Sequence, residues 1–404
     1  MQSVQNSRSD LRTIIVSYLG FIGLGMTTGL LGIAWPTMRK EFGVALDANG
    51  ILFLAGTLGY LSASFLSGSI AYRLGTGRMF IVSAVLGAFG LLATALSQSW
   101  LLIPVFLVIG GFGNGIIDAG FNAYVAQHHG ARAMNWLHGS FGIGTTIGPI
   151  VMTAVLAGGN SWRWGYVVSS IVMMAVVVVF IVGRNWWKPV IVASEATNAK
   201  RKSVLDVLKM PPVWFGIALF FLYAGLEATP GSWMYTLFTE ARNIDAGSAG
   251  LWVSIYWGSF TVGRFFFGAI INRVNTLTLT RFCMLGVLVG AILLWWNPVA
   301  WIGFLGLTVV GFMEAPLFPI FVSDTPKRVG MENAGNAIGF QVAGAGIGIA
   351  MLPALAGFLA NSTSLNSIPP FIFACALIVI VLHEVSVLQG KRVDAKAAAA
   401  AAGD

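Results

Sequence analysis

Two short stretches decide the fold: Gly115-Ile116-Ile117-Asp118-Ala119 and Gly311-Phe312-Met313-Glu314-Ala315, each with one acidic residue inside a long apolar run. An ionisable side chain at membrane depth costs roughly 2.5 to 3.5 kcal/mol on insertion scales, so two at matching places are not packing accidents. Acids buried in this way usually face a water-filled cavity, where they bind a substrate or carry a proton. The two stretches therefore indicate a membrane site that is built twice.

The composition of the 404-residue chain excludes an ordinary soluble protein. Hydrophobic residues make up 57% of it and charged residues only 9%, whereas soluble globular domains carry roughly 25% charged residues. Apolar runs recur along the whole chain, so we expect one polytopic membrane unit. Cys283 and Cys375 lie in such runs without a C-x-x-C motif or a His neighbour, which favours buried structural thiols over a disulfide or a metal site.

Charged and turn-rich segments divide the chain into twelve apolar stretches, each about long enough to cross a bilayer. The predicted helices lie at 11–36, 48–71, 79–98, 101–126, 134–158, 163–186, 211–238, 246–271, 277–296, 299–323, 332–360 and 367–388. The pattern predicts an all-α membrane protein with twelve transmembrane helices.

The net charge of +8 would suggest nucleic acid as a partner in a soluble protein, but here the bases follow the topology. With the N-terminus in the cytoplasm, all Lys and Arg of the loops and termini lie on that side except Arg39, Lys40, Arg163 and Arg242, as the positive-inside rule requires. We expect a multi-pass protein of the bacterial inner membrane with both termini cytoplasmic. We expect a monomer that contacts lipid and no nucleic acid.

A long polar connection and an internal repeat divide the chain into two halves. The predicted units are an N-terminal six-helix bundle (1–187), a cytoplasmic linker (188–210) with a short surface helix at 203–209, a C-terminal six-helix bundle (211–390) and a disordered tail (391–404). At offsets of 196 to 201 residues, Asp118 matches Glu314, Arg73 matches Arg273, and Asn135 matches Asn336. We interpret these matches as a duplication of six helices.

The loop between the second and third predicted helices resembles a motif of the major facilitator superfamily, and the resemblance extends over nearly the full chain. The family motif runs Gly, three residues, Asp, Arg, Gly and further bases; here it appears as Gly68-Ser-Ile-Ala-Tyr72-Arg73-Leu-Gly75-Thr-Gly77-Arg78, with Tyr72 in the Asp position. The resemblance implies two pseudo-symmetric six-helix bundles. It also implies a cytoplasmic gate to which Arg73, Arg78 and the repeat-related Arg273 contribute.

Four further segments resemble the fucose permease-like proton-coupled sugar symporters. They are Asp118-Ala-Gly-Phe-Asn122, Asn135-Trp-Leu-His138-Gly-Ser-Phe-Gly142, Tyr223-Ala-Gly-Leu-Glu227 with Trp233, and Glu314-Ala-Pro-Leu-Phe318-Pro319. The resemblance implies that Asp118 couples transport to protons and that polar residues on the fifth, seventh and tenth helices hold the sugar. One departure is that Gly29-Leu-Leu-Gly32-Ile-Ala-Trp35-Pro36 contains no acid where fucose permease has one.

Three acids, Asp118, Glu227 and Glu314, lie well within predicted helices, and Arg264 is the one base at comparable depth. Some of these carboxyl groups must therefore be protonated, face water or meet a cationic substrate. We predict that Asp118 and Glu314 couple transport to protons and that Glu227 and Glu314 contact the substrate. Arg264 is predicted to serve the gate through an ion pair with Asp324.

Several polar and aromatic residues are candidates for binding the substrate. Asn122 and Gln341 could give the directional hydrogen bonds that a polyhydroxylated ligand needs. His138 could line the cavity or be a hydrogen-bonded packing residue. Trp233 is the preferred aromatic residue for stacking on a sugar ring, although packing explains most membrane tryptophans. The weaker aromatic candidates are Trp136, Trp252, Trp257 and Tyr256.

The sequence predicts a secondary transporter working by alternating access, with a proton-coupled symport of a sugar or similar small polar solute as the preferred activity. It contains no G-x-x-x-x-G-K-[ST] loop and no H-E-x-x-H motif, so we expect no enzyme, no metal and no cofactor beyond the coupling proton. A proton-driven exporter of cationic drugs is the main alternative, because acids without balancing bases suit a positive cargo. A sensor or channel with the same fold is a third possibility.

Overall fold

The computed structural model describes residues 2–129, 131–188 and 204–401, and these residues form helices and short connections without a β-strand. The α-helices are α1 (Gln2–Thr28), α2 (Leu30–Phe42), α3 (Asn49–Leu74), α4 (Thr76–Leu96), α5 (Leu102–His128), α6 (Ala131–Ala157), α7 (Arg163–Val182), α8 (Val204–Leu208), α9 (Pro211–Thr236), α10 (Ala246–Ile270), α11 (Thr276–Trp296), α12 (Ala300–Glu314), α13 (Leu317–Val329), α14 (Met331–Ser362) and α15 (Ile368–Ala401).

By length and composition, the described residues contain 11 helical segments that could cross a membrane. The one predicted span not among these 11 is the eighth, α10, which has 25 residues but is less apolar and carries Arg264. The helices of each remaining span follow the predicted order, with boundaries shifted by a few residues. The predicted all-α membrane fold is confirmed.

Three predicted spans are interrupted or extended. The first is divided into α1 and α2 near Gly29, and α2 continues through Pro36 to Phe42, beyond the predicted end at 36. The tenth is divided into α12 and α13, and α12 ends at Glu314 itself. Pro316 lies in this break. It favours the interruption because proline has no backbone N–H to continue the helical ladder. The seventh ends in a π-helical turn, Leu237–Ala241.

The structure describes only part of the connection between the predicted halves, but it describes the C-terminal tail to Ala401. Residues 189–203 of the predicted linker lie outside the described residues, whereas α8 confirms the short helix expected at 203–209. The backbone of α15 is helical to Ala401, which corrects the disordered tail predicted from 391. Alanine is the strongest helix former, so the alanine run extends the last helix.

Because successive spans are antiparallel, the connections lie at two ends of the bundle. We call the end at which residues 75, 129, 188, 210, 275 and 330 lie the linker face, and the opposite end the far face. Close contacts between helices of the two predicted halves occur toward the far face. A Cβ atom on Gly32 of α2 would lie 2.2 Å from the Gly231 carbonyl oxygen of α9, and one on Gly50 would lie 2.8 Å from Ala354 Cβ. Small residues thus let the two halves close there.

Glycines also determine helix packing within each predicted half. A Cβ atom on Gly144 of α6 would lie 2.2 Å from the Ile22 carbonyl oxygen of α1. In the other half, a Cβ atom on Gly348 of α14 would lie 2.0 Å from the Phe221 carbonyl oxygen of α9. Backbones that approach this closely leave no room for any side chain, so these crossings require glycine.

Two glycines of α14 give a matched test of this packing. Gly348→Ala should lower the thermal stability of the purified protein, because the new methyl group pushes α14 away from α9. Gly339→Ala is the control, since an added Cβ there meets no atom within 4 Å and alanine favours the helix by roughly 0.5 to 1 kcal/mol. Fluorescence-detected size-exclusion after heating measures both variants. Equal stability of the two variants would contradict the assigned α9–α14 contact.

Candidate functional site

Asp118 lies at the centre of the first group of polar side chains, on α5. Its Oδ2 atom accepts a hydrogen bond of 2.5 Å from the Tyr60 hydroxyl of α3, and its Oδ1 atom accepts one of 3.1 Å from the Asn122 amide. Asn122 also donates to the Asp118 carbonyl oxygen at 3.0 Å. We call these three residues the N-terminal carboxyl centre. Sequence reasoning predicted Asp118 and Asn122 but missed Tyr60.

Glu314 and Glu227 form the second group together with two tyrosines. The Tyr223 hydroxyl lies 2.8 Å from Glu227 Oε2 and 2.9 Å from the Glu314 carbonyl oxygen. The Tyr256 hydroxyl lies 3.0 Å from Glu314 Oε2 and 2.7 Å from the Glu227 carbonyl oxygen. Each phenol therefore touches the carboxyl group of one glutamate and the backbone of the other. We call these four residues the C-terminal carboxyl centre.

The helix break gives Glu314 its position. Glu314 is the last residue of α12 and is fully buried, with 0% of its surface exposed. Its Oε1 atom has no hydrogen-bond partner among the described residues. A buried carboxyl oxygen without a donor is costly if the group carries a charge. The Glu314 carboxyl group is thus either neutral in this conformation or able to accept a hydrogen bond from a ligand at Oε1.

Arg264 of α10 is the base that lies well within the spans, and it lies near the C-terminal carboxyl centre. Its guanidinium group lies 4.5 Å from the ring centroid of Phe260, and its charge acts on Glu227 and on His138 of α6. Its Nε atom is buried and lacks a partner in the described part of the chain. The predicted ion pair with Asp324 is wrong, because Asp324 pairs with Lys327 at 2.7 Å on the same helix turn.

His138 lies between the two predicted halves. Its ring packs edge-on against Phe21 of α1 with centroids 6.0 Å apart, and it interacts electrostatically with Arg264. The structure thus places His138 beside Arg264, where its ring nitrogens can exchange hydrogen bonds with a polar ligand.

Two residues predicted to bind substrate, Trp233 and Gln341, are buried in packing contacts in this conformation. Trp233 is fully buried, and its indole N–H donates to the Pro353 carbonyl oxygen of α14 at 2.8 Å. Gln341 is also buried and accepts a 2.8 Å hydrogen bond from Thr325. Its amide lies against Gly216 of α9, which is roughly 16 Å along that helix from Glu227 at 1.5 Å per residue. Sequence alone could not tell which helix faces these side chains occupy.

The predicted gate on the linker face is not formed in this conformation. Arg73, Arg78 and Arg273 are exposed, and the structure records no ion pair for them among the described residues. With Tyr72 in place of the family's Asp and 86% exposed, the neighbouring acid that would pair with Arg73 is absent. These three arginines stay predictions for another conformation.

An ion-pair cluster joins the two predicted halves on the far face instead. Arg39 at the end of α2 lies 2.5 Å from Glu240 Oε2, and Lys40 lies 3.2 Å from Glu240 Oε1. Glu240 belongs to the π-helical turn after α9, a local widening of the helix that is frequent at functional sites. We call Arg39, Lys40 and Glu240 the far-face gate.

Comparison with known proteins identifies the family. Residues 17–342 match the family description Major Facilitator Superfamily, and the chain belongs to that superfamily. This result confirms the resemblance predicted from the loop motif and the acidic segments.

Individual relatives agree with this assignment. The human sodium-dependent glucose transporter 1 is 24% identical over 380 residues, which cover 84% of this chain and 72% of the relative. A nucleoside transporter structure superimposes with a TM-score of 0.77 at 13% identity and covers 94% of this chain and 99% of its own. The E. coli fucose:proton symporter gives a TM-score of 0.64 at 16% identity, with coverage of 93% and 98%.

The far-face gate leads to a testable expectation. Glu240→Gln removes the acid shared by Arg39 and Lys40, so the far face should open more often, because ion pairs of this kind contribute roughly 0.2 to 1 kcal/mol. A membrane-impermeant thiol reagent should then label a cysteine at Ser232 several-fold faster in protein that lacks Cys283 and Cys375. The exchanged pair Arg39→Glu with Glu240→Arg should restore slow labelling. Unchanged labelling in Glu240→Gln would show that these contacts do not hold the far face closed.

Proposed function

We propose that the protein is a secondary transporter that moves a sugar or similar small polar solute together with protons by alternating access. The observation that carries this proposal is the pair of carboxyl centres, in which acids well within the spans meet hydroxyl and amide donors. Similar proteins add support, since a human relative is a sodium-dependent glucose transporter and a protein of similar structure is a fucose:proton symporter.

Unsatisfied polar atoms around the C-terminal carboxyl centre favour a ligand with hydroxyl groups. Glu314 Oε1, Arg264 Nε and the indole Nε1 of Trp257 are buried without partners among the described residues. Trp257 packs on Tyr256 with ring centroids 5.0 Å apart. A sugar hydroxyl can both donate and accept, so one ligand can serve a carboxyl oxygen and two N–H donors. Leaving such groups unpaired costs about 1 to 3 kcal/mol each, which a bound sugar would recover.

The partners of Asp118 favour a proton over a sodium ion at the N-terminal carboxyl centre. Tyr60 and Asn122 both direct donors at the carboxyl oxygens. A metal cation needs several oxygen acceptors directed toward it, and donors occupy those directions here. We assign loading and release of the coupling proton to Asp118. Sodium coupling, suggested by the name of the human relative, is the competing assignment.

The roles of the other residues follow from their positions. Glu227 and Glu314 contact the substrate or share the coupling, Asn122 and His138 contact hydroxyl groups, and Arg264 balances the charge of Glu227. In the conformation described, the far-face gate is closed, and substrate exchange is assigned to the linker face. Release of the gate then opens the site to the other side.

An exporter of organic cations is the second candidate, because three membrane acids face only one membrane base. Such a cavity attracts a positive cargo if the acids are ionised. The two candidate functions differ in the charge state of the acids that transport requires. Transport of a neutral sugar requires neutral or proton-carrying acids, whereas transport of a cation requires at least one ionised acid in the loaded state.

Proteoliposomes containing the wild type, Asp118→Asn or Asp206→Asn test the proposal. Glucose or fucose should evoke proton uptake without sodium, and Asp118→Asn should lower the proton uptake per sugar while sugar exchange across the membrane continues. Asp206→Asn is the control, because Asp206 pairs with Lys209 on the short helix α8 at 3.0 Å. Proton movement evoked only by organic cations would replace the proposal with the exporter. Sugar uptake that depends on sodium and not on protons would remove the proton from it.

A further inference from the structure

The tyrosine and the acid of the two carboxyl centres occupy equivalent places in the internal repeat. Tyr60 and Tyr256 are 196 residues apart, and Asp118 and Glu314 are separated by the same 196 residues. The hydroxyl–carboxyl contact is also repeated, at 2.5 Å between Tyr60 and Asp118 and at 3.0 Å between Tyr256 and Glu314. One constant offset for both partners indicates that the duplication copied the pair as a unit.

A glycine positions each pair in the same way. Gly115 and Gly311 lie three residues before their acids and are themselves 196 residues apart. A Cβ atom on Gly115 would lie 2.3 Å from the Tyr60 carbonyl oxygen, and one on Gly311 would lie 2.6 Å from the Tyr256 carbonyl oxygen. Only glycine permits this approach, which brings the tyrosine backbone against the helix that carries the acid.

Hydrogen-bond counting assigns a proton to Glu314. The Tyr256 hydroxyl has one proton but contacts two oxygens, the Glu227 carbonyl at 2.7 Å and Glu314 Oε2 at 3.0 Å. A carbonyl oxygen can only accept. When the phenol donates to it, the second contact is a hydrogen bond only if the Glu314 carboxyl group donates its own proton to the phenol. A neutral Glu314 satisfies both contacts.

Charge balance sets the number of protons at the C-terminal carboxyl centre, because the same counting at Tyr223, whose hydroxyl contacts Glu227 Oε2 and the Glu314 carbonyl oxygen, would protonate Glu227 as well. The groups that face Glu314 are Tyr256 of α10 and Tyr223 and Glu227 of α9, and the charge of Arg264 acts on Glu227. If Glu227 is ionised beside Arg264, the C-terminal carboxyl centre is neutral with one proton on Glu314. Among the described residues no base acts on Asp118 in this way, so the N-terminal carboxyl centre is neutral with one proton on Asp118. Burial of uncompensated charge is costly.

We propose that Tyr60–Asp118 and Tyr256–Glu314 are two copies of one proton-binding site, and that each transport cycle carries two protons with one substrate. The proposal rests on the proposed symport function for its stoichiometry, but not for the binding of the second proton. Tyr60 and Tyr256 are positioning residues that hold each carboxyl proton in a defined hydrogen bond.

Proton binding can be measured without any substrate. In a potentiometric titration of the purified protein, Glu314→Gln should take up one proton fewer than the wild type across the neutral range, and so should Asp118→Asn. Glu41→Gln is the control, because Glu41 is ion-paired with Arg163 at 2.6 Å on the far face. A proton count in Glu314→Gln equal to that of the wild type would overturn the second site, whatever the protein transports.

Coupling is measured as the ratio of proton flux to labelled glucose or fucose flux in proteoliposomes. We expect about two protons per sugar in the wild type and about one in Glu314→Gln or Asp118→Asn, since each variant keeps one site. Tyr256→Phe should move the midpoint of the pH profile while Tyr235→Phe leaves it in place. A wild-type ratio of one that Glu314→Gln does not change would overturn the proposal. Sugar flux without proton flux would instead overturn the proposed symport and leave the titration to decide proton binding.

Discussion

The cost of charge at membrane depth is the constraint on which the rest of this structure depends. Three acids and one base lie well within the spans, so the bundle is stable only if most of that charge is paired, neutralised or hydrated. The described side chains meet the requirement with phenols, an amide and one guanidinium group. Tyr60 and Asn122 donate hydrogen bonds to Asp118. The hydroxyl groups of Tyr223 and Tyr256 contact the two glutamates, and the charge of Arg264 acts on Glu227.

The helix geometry follows from this requirement. Gly115 and Gly311 allow a tyrosine-bearing helix to approach each acid, and the break after Glu314 places its carbonyl oxygen against Tyr223. Far from the acids, the π-helical turn carries Glu240 to Arg39 across the gap between the predicted halves. Each carboxyl centre is formed within one predicted half, and on the far face the halves meet through the ion pairs of Arg39 and Lys40 with Glu240 and through small residues. Such a contact can be broken at modest cost, which the alternating access that we propose would require.

The sequence was sufficient for the fold and for the acids but not for their partners. Asp118, Glu227, Glu314 and Arg264 are recognisable because ionisable residues are rare in apolar runs. Tyr60 carries no such signal, and only the offset of 196 residues shared with Tyr256 and the acids could have revealed it. The sequence did not reveal that Gln341 and Trp233 are buried in packing contacts, because composition does not give the rotation of a helix. The far-face gate could not be predicted, since a sequence does not state which conformation its ion pairs serve.

Infrared difference spectroscopy tests most directly the claim that the buried acids are neutral in their tyrosine-bound positions. A protonated carboxyl group has a C=O stretching band distinct from that of a carboxylate, so the two states are counted separately. The account predicts protonated-carboxyl bands at neutral pH in the wild type, with one component absent from Asp118→Asn and a different one absent from Glu314→Gln. Spectra without such bands, or bands that neither substitution changes, would contradict it.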